Sequence, residues 1–97
     1  MSKLERNRFS ILTEDLSKCY ICGMPRQELH EIYFGKNRNN SMVYGCVVPL
    51  CYEHHRGNLG VHKNHDLDSV LKYECQKRFE VVYPTLDFYS IFYKNYL

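Results

Sequence analysis

Four cysteine and histidine side chains fall in two short pairs. They are Cys19-Tyr20-Ile21-Cys22, followed by Gly23, and Cys51-Tyr52-Glu53-His54, followed at once by His55. A two-residue gap lets both members of a pair reach one ion, and two such pairs supply the four ligands of a tetrahedral structural zinc. The expectation is that Cys19, Cys22, Cys51 and His54 close around one Zn²⁺, with Gly23 easing the turn after the second ligand. His55 is then turned elsewhere. If a helix begins after Pro49, successive residues on it are rotated by about 100°, so His54 and His55 do not serve the same small ion. Angle alone leaves their roles interchangeable; the C-x2-H spacing gives the zinc to His54.

With the four zinc ligands set aside, a second set remains: His30, Glu31, His55 and His62. A strand–strand–helix arrangement would bring them around one ion. Imidazoles with a carboxylate nearby hold a divalent metal with open positions. A water or a phosphate oxygen enters there, which is the requirement for metal-assisted hydrolysis. Each histidine also has a plainer reading. His65 is a solvated loop residue, His62 caps a helix or packs on tyrosines, and His30 beside Leu29 is a core imidazole with one hydrogen bond. His55 stands apart because its position is fixed against a zinc ligand.

The elements that must position these groups are short. The chain has 97 residues, enough for one domain but too few for a large apolar core, so a metal staple is physically useful. Nine tyrosines and no tryptophan supply a core whose aromatic residues can keep one end in water. A net charge of +2 permits a polyanionic partner without arguing for one. Five cysteines is an odd count, no apolar signal segment precedes them, and no run approaches membrane-spanning length. Reduced, metal-bound thiolates in a cytoplasm therefore fit better than a secreted disulfide framework.

In chain order, Thr13-Glu14-Asp15-Leu16 offers a short helical turn, and Met24-Pro25-Arg26-Gln27 a turn leaving the first pair. Residues 28–34 read as a strand, 35–41 as a polar loop and 42–50 as a second strand, making a hairpin with a basic loop at its tip. Lys36 and Arg38 on that loop are, by composition alone, solvated turn residues. From Asp66, the apolar residues Leu67, Val70, Leu71, Cys75, Phe79 and Val82 recur at helical steps, with Pro84 as the stop. Cys75 is read as a small core residue. A last packing helix is expected over residues 86–96. The expected fold is a small α+β domain: a core over residues 28–57, the pairs at 19–22 and 51–54, and C-terminal helices at 66–82 and 86–96.

Cys19-x2-Cys22, then His30-Glu31-Ile32, then Leu50-Cys51-x2-His54-His55 resembles the HNH nucleases, whose treble-clef-like ββα-metal motif carries a catalytic divalent ion. The likeness is greatest to small phage HNH proteins related to the phage recombination-enhancement nuclease. His30-Glu31-Ile32-Tyr33-Phe34-Gly35 is similar to their strand, Asn37-Arg38 with Ser41 to their basic loop, and Tyr44-Gly45 to the lead into their second strand. Gly60-Val61-His62 and Lys94-Asn95-Tyr96-Leu97 are also similar to that branch.

The resemblance implies hydrolysis of a DNA phosphodiester by a phage or prophage protein in a bacterial cytoplasm, with Mg²⁺ or another divalent ion. It implies His30 as base or metal ligand, Glu31 as base if His30 ligates, His55 as metal ligand, His62 completing the shell, and Arg38 clamping a phosphate. Two positions depart from the family pattern: Leu29 precedes His30 where a metal ligand is usual, and Cys46 stands five residues before Cys51 where an Asn is expected. Two other readings stay open. One is a zinc module that binds nucleic acid through Lys36, Arg38, Arg56 and Lys63 without cleaving it. The other is an adaptor or inhibitor acting by protein contact.

Overall fold

The computed structural model describes residues 1–97 as an α+β arrangement built on a two-stranded antiparallel sheet. In order, the elements are α1 (Lys3–Arg6), β1 (Glu28–Glu31), a 3₁₀ turn (Gly35–Asn37), α2 (Arg38–Tyr44), β2 (Val47–Leu50), α3 (Tyr52–His55), α4 (His65–Val82) and α5 (Phe88–Phe92). No helix is long and apolar enough to cross a membrane.

β1 pairs with β2 in the register Glu28–Leu50, Leu29–Pro49, His30–Val48 and Glu31–Val47. All four residues of β2 are buried, so this strand is the floor of the core. Pro49 lacks an N–H, but in a two-stranded sheet every strand is an edge and a ladder donor is dispensable there. Its carbonyl is used: the Tyr20 N–H donates to it at 2.8 Å, and the Gln27 N–H donates to Leu50 O at 2.9 Å. Those bonds seat the Cys19–Cys22 turn against the sheet.

The expected hairpin is corrected. β1 ends at Glu31 rather than at residue 34, β2 begins at Val47 rather than at residue 42, and residues 35–44 between them are largely helical. Asn and Ser weigh against a helix when read locally, but here their side chains are used by distant backbone. Asn37 and Asn40 donate to Phe92 O and Ile91 O, both at 3.1 Å. Buried Ser41 donates to Tyr33 O at 2.7 Å and accepts from Tyr33 N at 3.1 Å, standing in for a strand partner. Gly45, left-handed at φ +76°, caps α2 and lets the chain turn into β2.

The helical turn expected at residues 13–16 does not form. The N-terminal helix is instead α1, fixed by a capping box in which Ser2 and Glu5 bond each other's backbone N–H. α4 matches its periodicity closely and is capped by Asn64, whose side chain accepts from Asp66 N and Leu67 N. Its buried face is Leu71, Cys75, Gln76 and Phe79, whereas Val70 and Val82 lie outside it, 50% and 39% exposed. Cys75 is fully buried in the core. The last helix is the single turn α5 rather than residues 86–96, stopped by Tyr93 at φ 63°. Phe88 and Phe92 of α5 pack on Tyr33, whose hydroxyl donates to Lys72 O at 2.6 Å. The aromatic core is thereby bolted to α4, α5 and the segment that follows β1.

Candidate metal centres

Two clusters of ligand-type side chains form, one on each side of α3, and each could hold a metal ion. Cys19, Cys22, Cys51 and His54 bring their ligand atoms within 4.8 Å of one another. The separations are 3.7 Å for Cys22 Sγ–Cys51 Sγ, 3.3 Å for Cys51 Sγ–His54 Nδ1 and 3.8 Å for Cys19 Sγ–His54 Nδ1. Four ligands on one tetrahedral ion, with metal–sulfur near 2.3 Å and metal–nitrogen near 2.0 Å, would be about 3.8 Å apart for two sulfurs and about 3.5 Å for sulfur and nitrogen. The donor set therefore fits one ion.

Local backbone shapes this cluster. Cys19 N–H donates to Met24 O at 2.7 Å and Gly23 N–H to Cys19 O at 2.9 Å, folding the first pair back on itself. Cys51 is the N-cap of α3, so its side chain and that of His54 lie over the same helical turn. Burial pushes the Cys19 thiol up, but backbone N–H groups of Cys51, Cys22 and Ile21 outweigh it and bring the thiol down to about 6. A thiolate is the form that ligates.

The second cluster is His30, His55 and His62, again within 4.8 Å. His30 projects from β1 and His55 from the next residue after His54 on α3. His62 arrives on the loop that follows. That loop returns because position 60 is glycine. A Cβ there would stand 2.5 Å from His55 O and 2.6 Å from His55 C. The close approach lets Val61 N–H donate to His54 O at 3.0 Å and sets His62 Nε2 3.1 Å from His55 Nε2.

His30 and His55 are both 3% exposed, and each keeps a buried ring nitrogen without a hydrogen-bond partner: Nε2 of His30 and Nδ1 of His55. Orphaned buried nitrogens are costly, and a bound cation would satisfy the first. Behind the second lies Glu28, with Oε1 at 3.6 Å, just outside hydrogen-bond reach. Burial, followed by the charges of His55 and His62, pulls His30 down to about 3. Burial also lowers His55, against the opposing pull of Glu28. Both imidazoles are thus held neutral, as ligands must be.

The histidines open into a cleft of about 250 Å³ that is also lined by Arg8, Glu28, Glu31, Phe34, Arg38 and Arg56. The structure does not leave Glu31 free. Its Oε1 accepts from Arg8 Nη2 at 2.7 Å and forms an ion pair with Arg38 Nε at 3.2 Å. Arg38 lies on α2 instead of a loop, and its Nη2 also reaches Glu5 of α1 at 3.0 Å. Arg56 pairs with Glu28 at 2.8 Å. Lys36 and Lys63 are exposed, as is His65 at the start of α4. A wider groove of about 490 Å³ adjoins the cleft across Arg8, Glu28 and Leu29 and carries Arg6 and Arg26.

Sequence reasoning did not single out Arg8, Glu28 or Phe34. Glu28 had a usable signal: it is two residues before His30, so a strand puts both on one face. Arg8 had none, since it meets Glu31 only through the folding back of the N-terminal segment. Cys46 is fully buried in the core and takes no part in either cluster. No family model, curated protein or solved structure matches the chain.

Proposed function

We propose that this chain is an HNH-type, metal-dependent DNA endonuclease in which the Cys19–Cys22–Cys51–His54 cluster holds a structural zinc. The His30–His55–His62 cluster takes the working divalent ion, Mg²⁺ or another. The order β1, β2, α3, with a histidine from the first strand and one from the helix, supports a ββα-metal reading of the α+β fold. The observation that carries the proposal is the group of three imidazoles, two of them buried with an unpartnered nitrogen, at the floor of an arginine-flanked cleft.

When bound, a divalent ion with an open position lowers the pKa of a water and draws charge from a phosphoryl oxygen. The chain's own residues do the rest. His30 serves as a ligand rather than as the base, because its imidazole is held neutral and takes a proton only near pH 3. Glu28 stands behind His55 and orients the ring once the gap closes. Arg38 and Arg8 face the cleft and can turn N–H groups from Glu31 to a phosphate. The arginines of the adjoining groove continue that positive track along a polyanion. A cleft of about 250 Å³ is small for a free ligand but admits one link of a polymer backbone.

The test is nicking of supercoiled plasmid by zinc-loaded protein with added Mg²⁺, Mn²⁺, Ni²⁺ or Co²⁺. Nicking should need the added ion and fall at least about 100-fold in His55→Ala, with zinc content and fold retained. Intact plasmid under every ion would reject the hydrolase.

One observation favours a second reading. Both arginines pair with the same oxygen of Glu31, which leaves that carboxylate poorly placed to act as a base. The alternative is a catalytically weakened HNH-like zinc module that binds nucleic acid or a protein partner. Salt-sensitive DNA binding without nicking would support its nucleic-acid form.

A further inference from the structure

Phe34 is misplaced by the logic of the core. It follows Ile32 and Tyr33, which are 0% and 1% exposed, yet 43% of Phe34 faces solvent. Its ring centroid is 5.9 Å from that of His30 and 5.7 Å from that of His62. It lines the same cleft as the three imidazoles. Lys72 Nζ sits 4.4 Å from the ring centroid and is itself bonded to Asp68 Oδ2 at 2.8 Å. Lys72 thus covers one face of the ring, the two imidazoles stand tilted beside it, and 43% of the residue stays exposed where it lines the cleft.

Leaving 43% of a phenylalanine exposed forgoes part of the stabilisation its burial would give. That loss is recovered only when something covers the ring. In a nucleic-acid cleft the natural cover is a base, because every base has a π-face that can stack on an aromatic ring. We infer that Phe34 is a stacking platform for one nucleobase next to the reacting phosphate, so the site takes single-stranded or locally opened DNA in preference to intact duplex. The inference rests on the nucleic-acid reading above. A paired base has both faces covered by its neighbours, and baring one costs unstacking energy. An unpaired base meets the ring without that cost.

The sequence contains no tryptophan, so Phe34→Trp installs a single fluorescent reporter at the cleft mouth. The probes are a short mixed-sequence single strand, its duplex, and a fully abasic strand of equal length and charge. The single strand should quench the introduced indole and the abasic strand should not. Phe34→Ala and Phe34→Leu should each weaken single-strand binding about 5- to 100-fold while changing duplex binding less than about twofold. Phe34→Trp should bind the single strand as the wild type does, and metal content should be unchanged in all three.

Equal quenching by the abasic strand would overturn the stacking role, as would full retention of single-strand preference in Phe34→Leu, which would make the residue a mere apolar cover for His62. Either result leaves plasmid nicking untouched, so the nuclease reading would survive it. Failure of every probe to bind would defeat both.

Discussion

The Nε2 atoms of His55 and His62 stand 3.1 Å apart, although the two residues lie on different elements and are seven positions apart in sequence. Two imidazoles meeting nitrogen to nitrogen can share one proton or one cation. With metal–nitrogen bonds near 2.0 Å and a tetrahedral angle, ligand nitrogens on one ion would be about 3.3 Å apart. The pair is thus already near the spacing a shared ion requires, and His30 supplies a third nitrogen from β1.

The Cys19–Cys22–Cys51–His54 cluster ties the first turn to α3. Ligand capture and folding are coupled in modules this small. Removing the metal with a strong chelator should collapse the far-ultraviolet circular-dichroism spectrum, and adding Zn²⁺ should restore it. An unchanged spectrum in protein shown to be metal-free would count against a structural role for the cluster.

Glu28 is expected to act through His55. Glu28→Gln removes the charge behind the Nδ1 atom while keeping the side chain's shape, and metal affinity at the histidine cluster should drop about 10- to 100-fold. Arg56→Gln should not weaken it, which controls for loss of the Glu28–Arg56 ion pair. Isothermal titration with Ni²⁺ on zinc-loaded protein reads both. Equal affinities in Glu28→Gln and wild type would leave Glu28 as a surface salt-bridge partner only.

Acid should destabilise the fold through His30. The free imidazole takes a proton near 6.5, whereas in the fold it does so only near 3. Between these values the unfolded chain binds more protons, so stability rises with pH and is lost as pH falls through the window, by about 1.4 kcal/mol per unit. Thermal unfolding of His30→Gln should show a shallower fall from pH 6.5 downward than the wild type. Acid displacement of metal from the cysteine cluster is common to both proteins, so the difference in slope isolates the imidazole. Parallel slopes would contradict the buried neutral state.

Gly60→Ala should separate scaffold from site. The added methyl meets His55 O and must push the loop outward, at about 1–3 kcal/mol for such overpacking. A lowering of Tm by roughly 5–20 °C is expected for a domain near this size. The loop carries His62 with it, so Ni²⁺ affinity at the histidine cluster should fall as well, while zinc stays bound. Wild-type Tm and Ni²⁺ affinity in this variant would show that the loop has another way to close.

What could be read from sequence was local. The two-residue spacing in Cys19–Cys22 and Cys51–His54 groups those ligands, and the helical rotation between His54 and His55 turns them to different clusters. α4 was legible because its Leu71, Cys75 and Phe79 repeat at four-residue steps. What could not be read depends on distant partners. α2 forms from an Asn-rich run because Asn37, Asn40 and Ser41 bond backbone of α5 and of Tyr33, which no short window contains. Arg38 looked like a free cation on a loop. It is held by Glu5, 33 residues away, and by Glu31.

His54 and His55 are joined by one peptide bond on a helix of only four residues. So short a strut has no slack to absorb a disturbance on one side before it reaches the other. Oxidant or mercurial attack on the sulfur side, chemically remote from the imidazole cleft, would twist His55 out of alignment as surely as damage to the cleft itself. The thiols would then act as the fuse of this molecule.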